Sequence, residues 1–471
     1  MKRTFIHETV EQIGEEVSIY GWARKVRQHK SVIFWDVRDY TGSVQVVLSD
    51  ETDDWATASD VREEWVVRVT GMVNKRPEKL VNDKIPTGHI EIAATSFEVV
   101  NAAVTPPFTL DDTIGVNEDL RLAYRYLDMR TDRIQRNLSL RHEVSLFIRN
   151  HLSEKGFREV ETPMLTKSTP EGPRDFVVPA RKYPGMFYAL PQSPQQYKQL
   201  LMCGGVERYF QIVRCFRDED QRGERQPEFT QLDLEMSFVE QDDVLQLVEE
   251  LLIALIKKVA PDKKIQDIPF TRLTYDEAMK QYGTDKPDLR KDQNDPNTLA
   301  FCWVVDFPMF EYKPGDKRWA TAHNPFTMPK REQHQIIRDI VAKKRPLEDL
   351  ALVYADQYDL ALNGHEIFGG AVRNHMPDML SQVFQAIGHS EESVKEQFGH
   401  MLEAFSFGVP PHAGIASGLD RLVMVLAGEP TIREVIPFPK NGEAYDPLMH
   451  SPASISPEQL RELGIALRNE S

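Results

Sequence analysis

The chain has 471 residues, 41% hydrophobic and 28% charged, an ordinary globular balance with length enough for more than one domain. A formal net charge of −16 excludes a protein that coats nucleic acid non-specifically, although a local basic face can sit on an acidic whole. Three widely spaced cysteines, Cys203, Cys215 and Cys302, form no C-x-x-C pair, which argues against a disulfide framework and against a structural zinc site.

The first residues, MKRTFIHETVEQIGEE, lack the apolar stretch of a secretory signal. The longest apolar run, Leu245 to Ala260, is broken by Glu249, Glu250, Lys257 and Lys258, so it reads as an amphipathic helix. A cytoplasmic location with no membrane partner is therefore expected.

From residue 1 to about 104, short β-rich runs alternate with turns: Val17–Trp22, Val32–Val37, Ser43–Leu48, Trp65–Thr70 and His89–Ile92. Five strands at this spacing predict a small barrel of the OB type, an architecture that reads single-stranded nucleic acid with aromatic and basic groups. Arg24, Lys25, Arg27, His29 and Lys30 fall in the expected first connection, beside Phe34 and Trp35. Residues 105–135 read as a linker, opening on Thr105-Pro-Pro and continuing into a charged helical stretch from Asn117. A helix is predicted from Gln135 to a stop at Gly156, with Leu138, Val144, Phe147, Ile148 and Leu152 as its apolar residues. Beyond it strands and helices mix without strict βαβ alternation. Arg208–Arg214 and Phe229–Met236 read as neighbouring antiparallel strands, so residues 136–471 are expected to form an α+β domain built on an antiparallel sheet flanked by helices.

No P-loop and no strand-linked G-x-G-x-x-G is present, so a nucleotide would have to be held by side chains. The densest constellation is Val213–Asp220 followed by Gln226–Glu235. On a strand, Arg217 and Glu219 would share a face, one suited to a phosphate and the other to an amine or ribose. Gly414–Arg421 runs into an apolar helix and supplies a second cation, Arg421.

These segments resemble a known family. Phe157-Arg-Glu-Val-Glu-Thr-Pro163 is similar to motif 1 of the class II aminoacyl-tRNA synthetases, Phe216–Glu219 to motif 2, and Gly418–Arg421 to motif 3, in that order. The N-terminal barrel resembles that of the aspartate, asparagine and lysine enzymes. Ser168–Gly172, Gln192–Gln199 and Arg225–Gln231 resemble the bacterial aspartyl type. An asparaginyl enzyme shares the three motifs, but the Gln192–Gln199 run with its Lys198 speaks against it. A non-catalytic RNA-binding paralogue would have lost a motif arginine or a magnesium carboxylate, and Arg217, Arg421, Asp359 and Glu366 are all present. One departure is large: the family's inserted domain is missing, and only Leu289 to Thr298 fills its place.

The resemblance implies ATP-dependent formation of aspartyl-adenylate and transfer to tRNA-Asp, with tRNA-Asn as a second candidate and an amidotransferase as the partner that would follow. It implies Arg217 and Arg421 as catalytic cations. For aspartate it implies Glu171, Ser193, Gln195, Lys198, Arg217, Asp233, His323 and Arg373. For ATP it implies Arg217, Asp218, Glu219, Gln226, Phe229, Glu366, Gly418, Leu419, Asp420 and Arg421, with Asp359 and Glu366 holding Mg²⁺. An asparagine amide would leave the Lys198 and Arg373 cations uncompensated. In the barrel, Phe34, Gln45 and Glu91 match anticodon contacts. His29 resembles enzymes that accept both tRNAs, whereas Lys79 stands where those enzymes carry glycine. A homodimer is implied, with Pro163 at its axis and the Leu138–Leu152 stripe as a surface to bury.

Overall fold

The computed structural model describes residues 2–467 except 51, 53, 112, 169–173, 222–223 and 316. The chain divides into two compact units, Met1–Val116 and Asn117–Ser471.

In the first unit, β1 (Glu16–His29), β2 (Val32–Asp39), β3 (Gly42–Ser49), β4 (Val66–Lys75) and β5 (Ile90–Asn101) close into a barrel in the order β1-β2-β3-β5-β4. Alternation sets its two faces: Ile33, Trp35 and Val37 of β2 and Val44, Val46 and Leu48 of β3 fill the interior. Phe34 and Gln45, at the intervening positions, therefore face outward. The structure corrects one expectation. Arg24, Lys25, Arg27 and His29 are not in a connection; β1 runs on through them to His29, and the turn to β2 is only Lys30 and Ser31. Pairing with β2 places Arg27 opposite Phe34, so these basic residues line a strand instead of a loop.

The second unit is built on an eight-stranded sheet. In chain order its strands are β6 (Arg158–Glu159), β7 (Arg208–Phe216), β8 (Glu228–Ser237), β9 (Thr271–Thr274), β10 (Phe301–Pro308), β11 (Tyr354–Leu362), β12 (His365–Val372) and β13 (His412–Gly418). They lie in the order β9-β10-β11-β12-β13-β8-β7-β6. The inner pairings are antiparallel, and each edge strand runs parallel to its neighbour. Helices α1 (Asp132–Glu154), α2 (Gln195–Cys203), α3 (Gln241–Val259) and α4 (Leu419–Ala427) belong to this unit.

Helix α1 starts at a Thr131 cap, whose hydroxyl accepts the Ile134 amide, and stops at Gly156, where φ is +82°. Its Val144, Ile148 and Leu152 pack into the main core with the apolar face of α3. Of the stripe expected at a subunit interface, Val144, Ile148 and Leu152 are thus already buried within the chain and Leu138 and Phe147 are half-buried, while Leu146 and Leu165 remain exposed. The charged stretch after Asn117 forms two short helices, Glu118–Ala123 and Arg125–Asp128. Their Arg121 and Arg125 are tied to Asp128, and Arg121 also binds Glu434 at 2.8 Å. Among the described residues no helix is long and apolar enough to cross a membrane.

Candidate active site

A cavity of about 450 Å³ opens on β8, β11, β12 and β13. It gathers Ser193, Gln195, Lys198, Arg217, Glu219, Gln226, Phe229, Asp233, His323, Asp359, Glu366, Arg373, Gly418, Asp420 and Arg421, residues spread over more than two hundred positions of sequence. Asp218 and Leu419 are not on its wall. Asp218 is exposed, with its amide bonded to Arg174 O, and the Leu419 side chain is in the core at the start of α4. Glu171 lies outside the described residues.

The floor of the cavity is a buried ionic quartet. Lys198 Nζ lies 2.6 Å from Asp233 Oδ1 and 3.1 Å from Glu235 Oε2. Arg373 Nε and Nη2 donate to the two oxygens of Glu235 at 2.9 and 3.2 Å. Asp233 and Glu235 are two apart on β8 and so face the same way, and α2 brings Lys198 against them. Gly414 stands opposite Glu235 on β13, and a Cβ there would sit 1.9 Å from Glu235 Oε2, so only glycine admits the carboxylate. Burial alone would raise the Glu235 pKa, but Arg373 and Lys198 outweigh it and hold the group at about 2. For Asp233 burial prevails over Lys198 and the pKa is raised. Among the described residues the buried Asp233 Oδ2 has no partner in ordinary hydrogen-bonding geometry; the Tyr209 hydroxyl, close enough to interact with Asp233, gives its proton to Gln211 at 3.1 Å.

This arrangement corrects the selectivity argument drawn from sequence. Lys198 and Arg373 are not two unbalanced cations awaiting a carboxylate, because Asp233 and Glu235 already neutralise them. Glu235 was missed, although its spacing from Asp233 carried the signal.

Above the floor, β7 ends at Phe216, so Arg217 and Glu219 are beyond the strand and not on it as expected. Arg217 is held by its amide to Pro227 O at 2.9 Å, and its guanidinium lies 5.1 Å from the Phe229 ring centroid. Its Nε is buried with no acceptor among the described residues, a donor suited to an oxyanion. Arg421 donates through Nη1 to Glu366 O at 2.5 Å and faces Glu224 at 3.4 Å. Glu224, too, was not singled out from sequence.

Three expected nucleotide contacts are engaged inside the protein. The Gln226 amide bonds reciprocally to the Lys440 backbone at 3.0 and 2.8 Å. Asp420 accepts the Thr230 amide at 2.8 Å and Arg141 Nη1 at 2.5 Å. Glu219 faces Arg225 at 3.6 Å.

Asp359 and Glu366 flank the hairpin of β11 and β12, whose turn is Asn363-Gly364 with both φ values positive. A Cβ on Gly369 would come within 3.1 Å of Asp359 Oδ1 and 3.4 Å of Glu366 Oε1, so its absence leaves room between the carboxylates. Burial, and then the nearby Glu366, push the Asp359 pKa well above the usual carboxylate value. Two carboxylates crowded at one edge of a polar cavity fit a hard divalent cation. His323 is exposed at the mouth, with its ring edge-on to Phe307 at 5.1 Å.

In the barrel, Gln45 Nε2 donates to Glu91 Oε2 at 3.0 Å, and Gln45 and Glu91 are register partners of β3 and β5. With Phe34 they share the outer face. Arg76 Nε stands 3.7 Å from Glu91. His29 ends β1, and Lys79 sits in an exposed turn of 3-10 helix, Glu78–Leu80.

Residues 117–442 match the family described as tRNA synthetases class II (D, K and N), and residues 17–100 match the OB-fold nucleic acid binding domain. The chain is 39% identical to an aspartate–tRNA(Asp/Asn) ligase of Moorella thermoacetica, with 97% of this chain and 95% of that one covered. It is 40% identical, at the same coverage, to the ligase of that name from Rubrobacter xylanophilus. Both alignments run over 579 positions, so these relatives carry sequence that the 471 residues here do not. Among solved structures, the fold is similar to the asparaginyl-tRNA synthetase from Pyrococcus horikoshii complexed with asparaginyl-adenylate. That likeness has a TM-score of 0.72 at 22% identity and covers 93% of this chain and 98% of that one. It is also similar to the aspartyl tRNA synthetase from Entamoeba histolytica, with a TM-score of 0.70 at 24% identity and coverages of 93% and 91%.

Proposed function

The chain belongs to the class II tRNA synthetases, in the branch of the aspartate–tRNA ligases, and on that premise we propose how its cavity selects and activates L-aspartate. The observation that carries the reading is the bond between Lys198 and Asp233 Oδ1, beside an Asp233 Oδ2 that has no partner in hydrogen-bonding geometry among the described residues. Aspartate offers a replacement for each side of that bond. Its ammonium takes Asp233, and its β-carboxylate takes Lys198. Asparagine offers the ammonium alone and would leave Lys198 with Glu235, which Arg373 already holds. Stranding a buried charge in this way costs about 3–5 kcal/mol by analogy with broken buried pairs.

In the first step an α-carboxylate oxygen of aspartate bonds to the α-phosphorus of ATP as the bond to pyrophosphate breaks. Arg217, whose Nε has no acceptor among the described residues, is placed to touch both the carboxylate and the phosphate. Arg421 faces the outer phosphates, and the Phe229 ring supports the adenine. Asp359 and Glu366 would hold Mg²⁺, which supplies charge neutralisation on the phosphates. Ser193 and Gln195 join Asp233 around the ammonium, and His323 faces the substrate from the mouth. Glu219, Gln226, Gly418, Leu419 and Asp420 shape the nucleotide side; the internal bonds of Gln226 and Asp420 give those two a supporting part. In the second step a terminal ribose hydroxyl of the tRNA attacks the aspartyl carbonyl and AMP leaves.

tRNA is the macromolecular partner. Phe34, Gln45 and Glu91, together on the outer barrel face, are the proposed anticodon contacts, by stacking and base-edge hydrogen bonds. The working location is the cytoplasm. Catalysis is expected to run without the inserted domain, because the motifs on both sides of Leu289–Thr298 are present. A homodimer is proposed around Pro163, supported by exposed Leu146 and Leu165 and the free edge of β6. A monomer at micromolar concentration in sedimentation would overturn it.

The deciding experiment is ATP–pyrophosphate exchange with aspartate and with asparagine, followed by aminoacylation. Exchange that depends on aspartate is expected; equal support from asparagine would defeat the reading.

A further inference from the structure

Gln195 and Gln199 are one turn apart on α2 and stack on the same face. Gln195 Nε2 donates to Gln199 Oε1 at 3.0 Å. Gln199 Nε2 lies 3.0 Å from His412 Nε2, although 213 positions separate the two in sequence. His412 Nδ1 lies 2.8 Å from Pro410 O. His412 is fully buried at the start of β13, and neither it nor Gln199 lines the cavity.

One assignment of protons satisfies this chain. A carbonyl only accepts, so His412 carries its proton on Nδ1. Burial lowers the imidazole pKa to about 4 against the opposing pull of Glu235, so the ring is neutral and Nε2 is bare. Gln199 must therefore donate through its amide nitrogen, which turns its carbonyl towards Gln195. Gln195 must donate in turn, and its own carbonyl oxygen is left as the end directed away from Gln199, into the cavity that Gln195 lines.

We propose that His412, acting through Gln199, is a positioning residue for aspartate binding: it fixes which end of the Gln195 amide meets the substrate ammonium. An ammonium has only hydrogens to give, so it needs the carbonyl end. The reversed amide would present a second donor and turn an attraction into a repulsion. The inference rests on the proposed reading that Gln195 borders the ammonium.

The test compares L-aspartate with succinate, which keeps both carboxylates and lacks the ammonium, in the full-length protein. Gln199→Leu and His412→Leu remove the relay, and His412→Gln keeps an acceptor near the position of Nε2. In aspartate-dependent pyrophosphate exchange, Gln199→Leu is expected to raise the aspartate KM about tenfold or more, the scale of one charged hydrogen bond. The KM for ATP should hold within about twofold, and so should the inhibition constant of succinate. His412→Leu should behave alike, and His412→Gln should recover most of the aspartate affinity. Parallel weakening of aspartate and succinate would mean general distortion of the pocket and would overturn the proposal, as would an unchanged aspartate KM. If His412→Leu does not fold, Gln199→Leu decides the matter. A wild-type protein without aspartate-dependent exchange would instead defeat the functional reading itself, a result visible before any variant is made.

Discussion

Glu235 accepts two hydrogen bonds from Arg373, 2.9 Å from Nε and 3.2 Å from Nη2, with both side chains buried. The pair carries a stability that depends on pH. The Glu235 pKa is held at about 2 against an ordinary 4.5. A depressed carboxylate pKa contributes stability that is complete above the unfolded value and is lost as pH falls through the folded one. The window here runs from about pH 4.5 down to about pH 2, and the contribution at neutral pH is about 3 kcal/mol. Glu235→Gln should therefore be destabilised at pH 7, and its gap from the wild type should shrink towards pH 2. Denaturant unfolding at several pH values measures this; a gap that stays constant with pH would show that the ion pair is not its source.

Lys198→Leu removes the lysine that bridges two buried carboxylates, Asp233 and Glu235. Loss of aspartate activation is expected, and so is a stability loss of about 3–5 kcal/mol, because a buried charge loses its partner. Adding Asp233→Asn removes one stranded charge. The double variant should regain stability and still fail in pyrophosphate exchange. Recovery of exchange would show that Lys198 does not hold the β-carboxylate.

Much of this was legible in the sequence. Alternating apolar residues such as Ile33, Trp35 and Val37 announced the barrel, and the order of the Arg217 and Arg421 motifs announced the family. What escaped had physical causes. The basic residues from Arg24 to His29 were read as a loop because charge suppresses the strand signal, yet pairing with β2 keeps them extended. The α1 stripe has the same period whether it meets the chain's own core or a second subunit. Glu235 was readable from Asp233 by strand period alone, whereas the contact from Gln199 to His412 joins distant segments and has no local pattern. Nothing local marks the Gln226 and Asp420 side chains as engaged with Lys440 and Thr230.

Asp359 illustrates a site that works against the fold. Burial and Glu366 disfavour its charged form, so the ionised carboxylate is a cost to the ligand-free protein. Asp359→Asn should abolish exchange at millimolar Mg²⁺ and yet melt a few degrees higher than the wild type, a trade of stability against activity. Chelation of Mg²⁺ should likewise stop exchange in the wild type. Thermal melts and exchange assays together test this: a variant that melts lower and still exchanges would remove Asp359 from the metal site.

The choice between tRNA-Asp and tRNA-Asn turns on the third anticodon base, C in one and U in the other, which differ where an amino donor replaces a carbonyl acceptor. His29 and Lys79 give opposing signals. His29 ends β1 at the exposed rim of the barrel, with an imidazole that donates or accepts and so tolerates either base. Lys79, exposed in its short helical turn, has no acceptor and suits a phosphate, a contact that positions RNA without reading it. Tolerance at the base edge outweighs an added backbone contact, so charging of both tRNAs is expected, with an amidotransferase then needed to convert aspartyl-tRNA-Asn. The measurement is kcat/KM for the two purified tRNAs. A preference for tRNA-Asp beyond about a thousandfold, roughly 4 kcal/mol, would defeat the relaxed reading. His29→Gln keeps both a donor and an acceptor and should preserve the ratio, whereas Lys79→Ala should weaken both tRNAs alike and reduce the salt dependence of binding.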